Sequence, residues 1–221
     1  MTEGSSEIAA SSAAGAGVGR SPGPAAPGGD DTWRIVRSGY DPERLDHDAT
    51  IFALANGALG VRGGCEETGG SGGCFLAAAF QRSPIHYHER FPGFAAATDT
   101  RVPVADGSEI RIALDGRRLS PADPDCTGFE HELDLKNGLT RRRVRWDFGD
   151  RGTLELAVER IVPVARRGLL AIRMELISDG LAGEITLESA IRGDHAAPGQ
   201  GDDPRIGVGA GAGMQWLQSE S

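Results

Sequence analysis

The sequence predicts an all-β, antiparallel domain, and three observations predict it. Several short segments alternate apolar and polar residues with a period of two. Turn-forming Gly, Pro, Asn and Asp recur between them, roughly every eight to twelve residues, the rhythm of a sandwich or barrel. No segment carries the apolar spacing of a strong amphipathic helix.

Taken in order, residues 1–30 are Ser, Ala, Gly and Pro with few large apolar side chains. Such a segment cannot bury enough surface to offset its ordering entropy. A disordered tail is therefore expected, followed by one β domain over 31–221. The first 31 residues lack a basic n-region and a continuous apolar h-region, so no export signal is read. Trp33 is the first residue able to anchor in a core.

The rest of the domain is organised around residues 50–64. An apolar run from Thr50 breaks at Asn56-Gly57, which accommodates positive φ and fits a tight turn between two strands. Gly60, Gly63 and Gly64 remove Cβ atoms where backbone bends or approaches a neighbour. Residues 109–114 alternate and end at Asp115-Gly116, a second hairpin signal. In residues 141–148, Val144, Trp146 and Phe148 share one face. Gly149-Asp150-Arg151-Gly152 turns the chain into residues 153–160, with Leu154, Leu156 and Val158 inward. Further strands are read over 169–177 and 184–191, separated by a turn near Ser178-Asp179-Gly180. Residues 198–213 are Gly-rich, and Met214-Gln215-Trp216-Leu217 reads as a last strand.

The formal net charge of the 221 residues is -9, against the clustered cations that nucleic-acid binding requires. No apolar run is long enough for a transmembrane helix. Cys65, Cys74 and Cys126 make an odd count without metal spacing. Free thiols in a cytoplasmic protein are expected, since a Cys65–Cys74 bridge needs an exported chain.

The order of motifs carries a resemblance. Trp33-Arg34-Ile35-Val36 leads to Gly39-Tyr40-Asp41-Pro42 and then to Thr50, Phe52, Leu54, Asn56, Gly57, Leu59, Gly60, Arg62 and Gly63, followed by Glu66-Glu67. This resembles the N-terminal domain of glycoside hydrolase family 65, whose members read E-T-L-F-x-L-G-N-G-Y-L-G-x-R-G before an acidic pair. The chain departs at Ala49 and Ala58, where the family has Glu and Tyr. Tyr87-His88-Glu89, Gly93-Phe94 and residues 98–107 extend the similarity across about 33–190. The resemblance implies an antiparallel two-sheet super-sandwich, galactose mutarotase-like, incomplete at its C-terminal end. It also implies a parent enzyme that cleaves maltose, trehalose or kojibiose with phosphate or water. The family's general acid is a Glu in a separate (α/α)6 barrel, in a segment like E-x-x-G-P-D-E-Y-H, with a second barrel motif like K-Q-A-D, and neither motif occurs in this sequence. The expected partners are that barrel, in cis or as a separate chain, and α-glucosides through the parent enzyme. A homodimer belongs to the same expectation; nucleic acid and membrane do not.

Among candidate sites, His86, His88, Glu89, Asp99 and Arg101 are assigned to a polar interface with the barrel or the rim of its active site. His86 and His88 fall on one face if the segment is a strand, which suits a shared metal, but Glu89 points the other way. No metal and no cofactor are expected. Glu66 and Glu67 are adjacent on what reads as an extended loop and point apart, so a solvated or Arg-paired role is expected rather than a catalytic pair, with Arg62 the near candidate. The spacing Gly57-x-x-Gly60-x-x-Gly63 lacks the order and the strand-to-helix context of a nucleotide cradle. Arg141-Arg142-Arg143 reads as a solvated sheet edge. Trp146 is assigned to the core rather than to a sugar platform, and no catalytic residue is assigned in this chain. A free-standing carbohydrate-binding or interaction module is the alternative. A small metal-dependent β-barrel enzyme using His86 and His88, or a fragment with an exposed sheet edge, stand behind it.

Overall fold

A computed structural model describes residues 31–69, 73–87 and 89–193. Among the described residues are one short helix, α1 (Leu45–Ile51), and twelve strands. These are β1 (Arg34–Ser38), β2 (Leu54–Ala55), β3 (Leu59–Val61), β4 (Cys74–Pro84), β5 (Ala97–Val104), β6 (Asp106–Leu114), β7 (Arg117–Arg118), β8 (Cys126–Asp134), β9 (Leu139–Asp147), β10 (Thr153–Ile161), β11 (Ala171–Asp179) and β12 (Ile185–Arg192). They form a five-stranded sheet ordered β1-β8-β9-β10-β11, a four-stranded sheet β2-β3-β4-β5 and a three-stranded sheet β12-β6-β7. Every pairing is antiparallel.

Two core clusters show how the sheets stack. Ile112, Leu114 and Leu119 meet Val144, Trp146, Leu154, Leu156 and Val158 of β9 and β10. Phe52, Leu54, Leu59, Val61 and Cys74 meet Leu133 and Val162. The two smaller sheets therefore both pack on the five-stranded sheet, giving the two layers of an all-β sandwich.

Directly opposed residues of antiparallel strands point to the same side. The register therefore puts Phe129, Val144 and Leu156 in one inward row, His131, Arg142 and Val158 in the next, and Leu133, Thr140 and Arg160 in the third. The outward row is a charge ladder. Arg141 pairs with Glu132 and Glu159, each at 3.1 Å, while Arg34 adds to Glu132 and Arg173 to Glu159. The sheet edge expected at Arg141-Arg142-Arg143 is thus corrected. β9 lies inside the largest sheet, and alternation sends Arg141 and Arg143 out but Arg142 into the interior.

The run from Thr50 also differs from the sequence-based expectation. Asp41 caps a 3₁₀ turn at Pro42–Arg44 by accepting from the Glu43 amide, and α1 follows through Thr50 and Ile51. Only Leu54-Ala55 remains strand, because seven residues are too few for helical periodicity to stand out. The hairpin at Asn56-Gly57 forms, with positive φ at Gly57 (82°). Asp115 and Gly116 both adopt positive φ, as a two-residue turn of the I′ kind requires. The strand after residue 184 leaves the five-stranded sheet and pairs with β6 instead. Trp146 is fully buried, its indole donating to Ser120 O at 3.0 Å, whereas Trp33 is 51% exposed and lies outside both core clusters. Cys65 and Cys74 are buried free thiols. The 1–30 tail, His88 and the strand read at 214–217 lie outside the described residues.

Candidate functional site

Between the two core clusters the inward face carries charge. The segment that meets it enters through Gly63, whose amide donates to Ala49 O at 2.7 Å. A Cβ there would stand 2.4 Å from Phe52 Cβ and 2.5 Å from the Phe52 carbonyl oxygen, so only glycine lets the chain pass. A 3₁₀ turn, Glu66–Thr68, then drives two carboxylates into the sandwich. The turn is the reason the expected divergence of Glu66 and Glu67 does not occur: both reach the same guanidinium.

Arg142 donates to Glu67 through both terminal nitrogens, one of them at 2.6 Å to Oε2, and also to Glu66. Arg160 donates from Nε to Glu66 Oε1 at 2.9 Å and from Nη2 to the same oxygen. Its remaining capacity goes to the carbonyls of Arg62 (2.8 Å) and Gly64 (3.2 Å). All four side chains are at most 3% exposed. Two carboxylates and two guanidiniums leave the group neutral, which is the condition for burying charge without a large desolvation penalty. Burial pushes the Glu66 carboxyl upward, but Arg160 and Arg142 outweigh it and hold its pKa at about 2. Arg142 is held further into its charged form despite burial, by the Glu67 and Glu66 carboxylates.

His131 lies beside Arg142 in the register and stacks on Phe52, ring centroids 3.8 Å apart. Burial, reinforced by Arg142, lowers its pKa to about 3, so the ring is neutral. Burial raises the Cys65 thiol to about 12 and the Cys74 thiol to about 11. These groups have no proton to give or take near neutral pH. The seam joins the two layers through charges buried on both sides.

Arg62 was the expected partner of the acidic pair and is not. Its Nη2 donates to Asp46 O and Oδ1, both at 2.7 Å, and to Thr50 Oγ1 at 2.9 Å, and only its carbonyl touches the seam. Asn56 does more than turn the chain. Its Nδ2 donates to the carbonyls of Pro163, Arg166 and Arg167, and its Oδ1 accepts from the Ala58 and Leu59 amides. The hairpin is thereby tied to the loop after β10. Gly60 has room for a methyl group, 3.7 Å from Ala55 Cβ.

On the solvent side of the seam a cleft of about 300 Å³ opens between α1, the turn at Tyr40-Asp41 and β8. Tyr40, Phe129, Asp41, Asp46, Asp48 and Arg62 line it, and Cys65 and His131 form part of its wall. Tyr40 meets Phe129 edge-on at 5.5 Å.

The remaining sequence candidates gather elsewhere. Asp99 and Arg101 lie on β5, opposite Arg82 and Phe80 of β4, and His86 and Glu89 follow the end of β4. All four are exposed, and the Arg101 guanidinium stands 6.0 Å from the Phe75 ring. His86 is past the strand, so the two-histidine face does not arise from strand alternation. Among the described residues no group of three His, Cys, Asp or Glu side chains is placed to hold a metal. Sequence reasoning missed Arg142, Arg160, His131, Tyr40 and Phe129. The signal for the two arginines was present, since each continues an inward apolar series.

Fold and seam together define an antiparallel β-sandwich domain with an ion-paired interior. Its sequence matches the glycosyl hydrolase family 65 N-terminal domain over residues 35–218, and the chain belongs to that family. It is 30% identical to an alpha,alpha-trehalose phosphorylase of Thermoanaerobacter brockii over 79% of this chain and 23% of that protein. It is 26% identical to a kojibiose phosphorylase of Halothermothrix orenii over 73% of this chain and 20% of that protein. A solved structure provisionally assigned as a kojibiose phosphorylase, from the human microbiome, shares the fold. It has a TM-score of 0.57 and 21% identity, over 66% of this chain and 20% of the other. The chain thus spans about a fifth to a quarter of the length of these relatives. Among the described residues no helix is long and apolar enough to cross a membrane.

Proposed function

We propose that this chain is the non-catalytic N-terminal sandwich of a cytoplasmic family 65 enzyme, packing on an (α/α)6 barrel that carries the chemistry. The parent reaction is inverting cleavage of a trehalose-, kojibiose- or maltose-type α-glucoside, phosphate being the attacking group that the named relatives suggest. The observation that carries this reading is the hairpin β4–β5. Leu76, Phe80, Phe91 and Phe94 are 41%, 57%, 55% and 45% exposed on it and on the segment joining its strands. Large apolar side chains gathered on one arm are the mark of a surface that another domain covers. Exposed His86, Glu89, Asp99 and Arg101 supply the polar rim expected around such a contact. The locking of Glu66 and Glu67 by Arg142 and Arg160 supports placing the catalytic carboxylate elsewhere.

The test is the intact mass of the native polypeptide from its source cells, joined to a phosphorolysis assay on trehalose and kojibiose. A mass several-fold above 23.1 kDa with activity in the same polypeptide is the expected result. In that enzyme Phe91→Ser and Arg101→Ala should loosen the domain contact, read as earlier protease cleavage between domains. A 23.1 kDa protein that neither binds a separately encoded barrel nor alters its activity overturns the reading.

A further inference from the structure

We infer that the cleft between α1, Tyr40 and β8 binds a single neutral pyranose, stacked on the Tyr40–Phe129 wall and held by Asp41, Asp46, Asp48 and Arg62. This does not depend on what the hairpin arm packs against, because the cleft is a separate surface.

Size comes first. About 300 Å³ is the lower end of small-ligand pockets, suited to one ring rather than a nucleotide or an oligosaccharide. The wall is aromatic and half-buried, and carbon-bound hydrogens of a sugar ring gain from such a surface. Burial raises the Tyr40 pKa, so its hydroxyl both donates and accepts.

Charge then selects the ligand class. Three carboxylates line the cleft, and two of them, Asp46 and Asp48, have arginine within reach. Asp46 is held by Arg62 at 2.7 Å, and Asp48 has Arg44 at 3.7 Å and Arg37 at 3.8 Å. Asp41 spends one oxygen on the Glu43 amide. With Asp46 and Asp48 paired to arginine, Asp41 is the one lining carboxylate left, too few for a metal ion, while the acidic lining disfavours phosphate. The cleft does offer acceptors beside fixed donors, which is what vicinal hydroxyl groups use. Arg62 is pinned by Asp46 and Thr50 before any ligand arrives, so little ordering cost falls on binding. The His131 ring is neutral, and Cys65 is a protonated thiol, so the site binds without turning its ligand over.

The experiment is a calorimetric titration of the full chain with glucose, maltose and trehalose, with sodium phosphate and magnesium chloride run alongside. Saturable binding of at least one sugar, with a Kd of about 1–10 mM, and none of phosphate or magnesium is expected. Phe129→Leu keeps the apolar volume, and Asp41→Ser keeps the cap on the 3₁₀ turn while removing the carboxylate. Each should weaken binding about tenfold with the urea midpoint of Asp41→Ser unchanged. If Phe129→Leu fails to fold, Asp41→Ser decides alone. Absence of saturation with all three sugars overturns the inference, as does wild-type affinity in a folded variant or tighter binding of phosphate or magnesium than of sugar.

Discussion

Replacing Glu66 by Gln keeps its shape and removes its charge. Arg160 then loses its only carboxylate while staying buried, and Arg142 keeps Glu67 alone. Breaking a buried pair from one side costs about 3–5 kcal/mol. The depressed Glu66 carboxyl corresponds to a similar size of effect. Its pKa falls from 4.5 to about 2 on folding, which corresponds to about 3 kcal/mol. Because the folded pKa is depressed, this stability is fully present above pH 4.5 and is lost as pH falls through 2. Urea unfolding at pH 7 should show a loss of about 3–4 kcal/mol, a midpoint shift of about 1.5–2 M at a typical slope. The gap between wild type and variant should close as pH drops from 4.5 towards 2. A loss under about 1 kcal/mol, the range of exposed pairs, would refute the argument. So would a gap that stays constant with pH, because the stability would then come from shape and not charge.

Other consequences can be measured on the same chain. His131 is neutral when folded and its pKa is depressed to about 3, so it contributes acid sensitivity as pH falls from 6.5 towards 3. In His131→Phe the decline of Tm between about pH 6.5 and 4.5 should flatten, and an unchanged slope would point to other groups. Asn56→Ala removes three hydrogen-bond contacts that tie the first hairpin to the loop after β10 and two that close the hairpin itself. About 2 kcal/mol or more should be lost in urea unfolding, and a loss below about 0.5 kcal/mol would mean water replaces them. Cys65 and Cys74 should resist a thiol-specific disulfide reagent at about pH 8 until the protein opens, with half-buried Cys126 reacting first. Labelling of Cys65 as fast as Cys126 would contradict its burial.

The range of each interaction decides what the sequence disclosed and what it hid. Strands β6, β9, β10, β11 and β12 were legible because alternation is local: Leu154, Leu156 and Val158 announce their own face, whereas β7 and β8 were not read. The Asn-Gly and Asp-Gly turns were legible for the same reason. The seam was not, although its halves were visible. Carried one step further, the alternation that buries Val144 and Trp146 also buries Arg142, and the one that buries Leu156 and Val158 also buries Arg160. A buried guanidinium demands a carboxylate, but its partners lie 75 to 94 residues away, where no local pattern points. Arg62 was favoured for Glu66 by proximity along the chain, and tertiary contact overrode it. The cleft likewise needs Tyr40 and Phe129 side by side, which only the β1–β8 pairing brings about.

The seam also sets a schedule. Glu66 waits 94 residues for Arg160, β1 finds its partner only in β8, and the Phe52 cluster is completed by Val162. At about 5–20 residues per second, the first hairpin leaves the ribosome roughly 5–20 s before the strands that cover it exist. Through that interval Phe52, Leu54, Leu59 and Val61 stand open beside two carboxylates still in water. Both carboxylates therefore stay hydrated until Arg142 and Arg160 have been made, and neither is buried without its counter-ion.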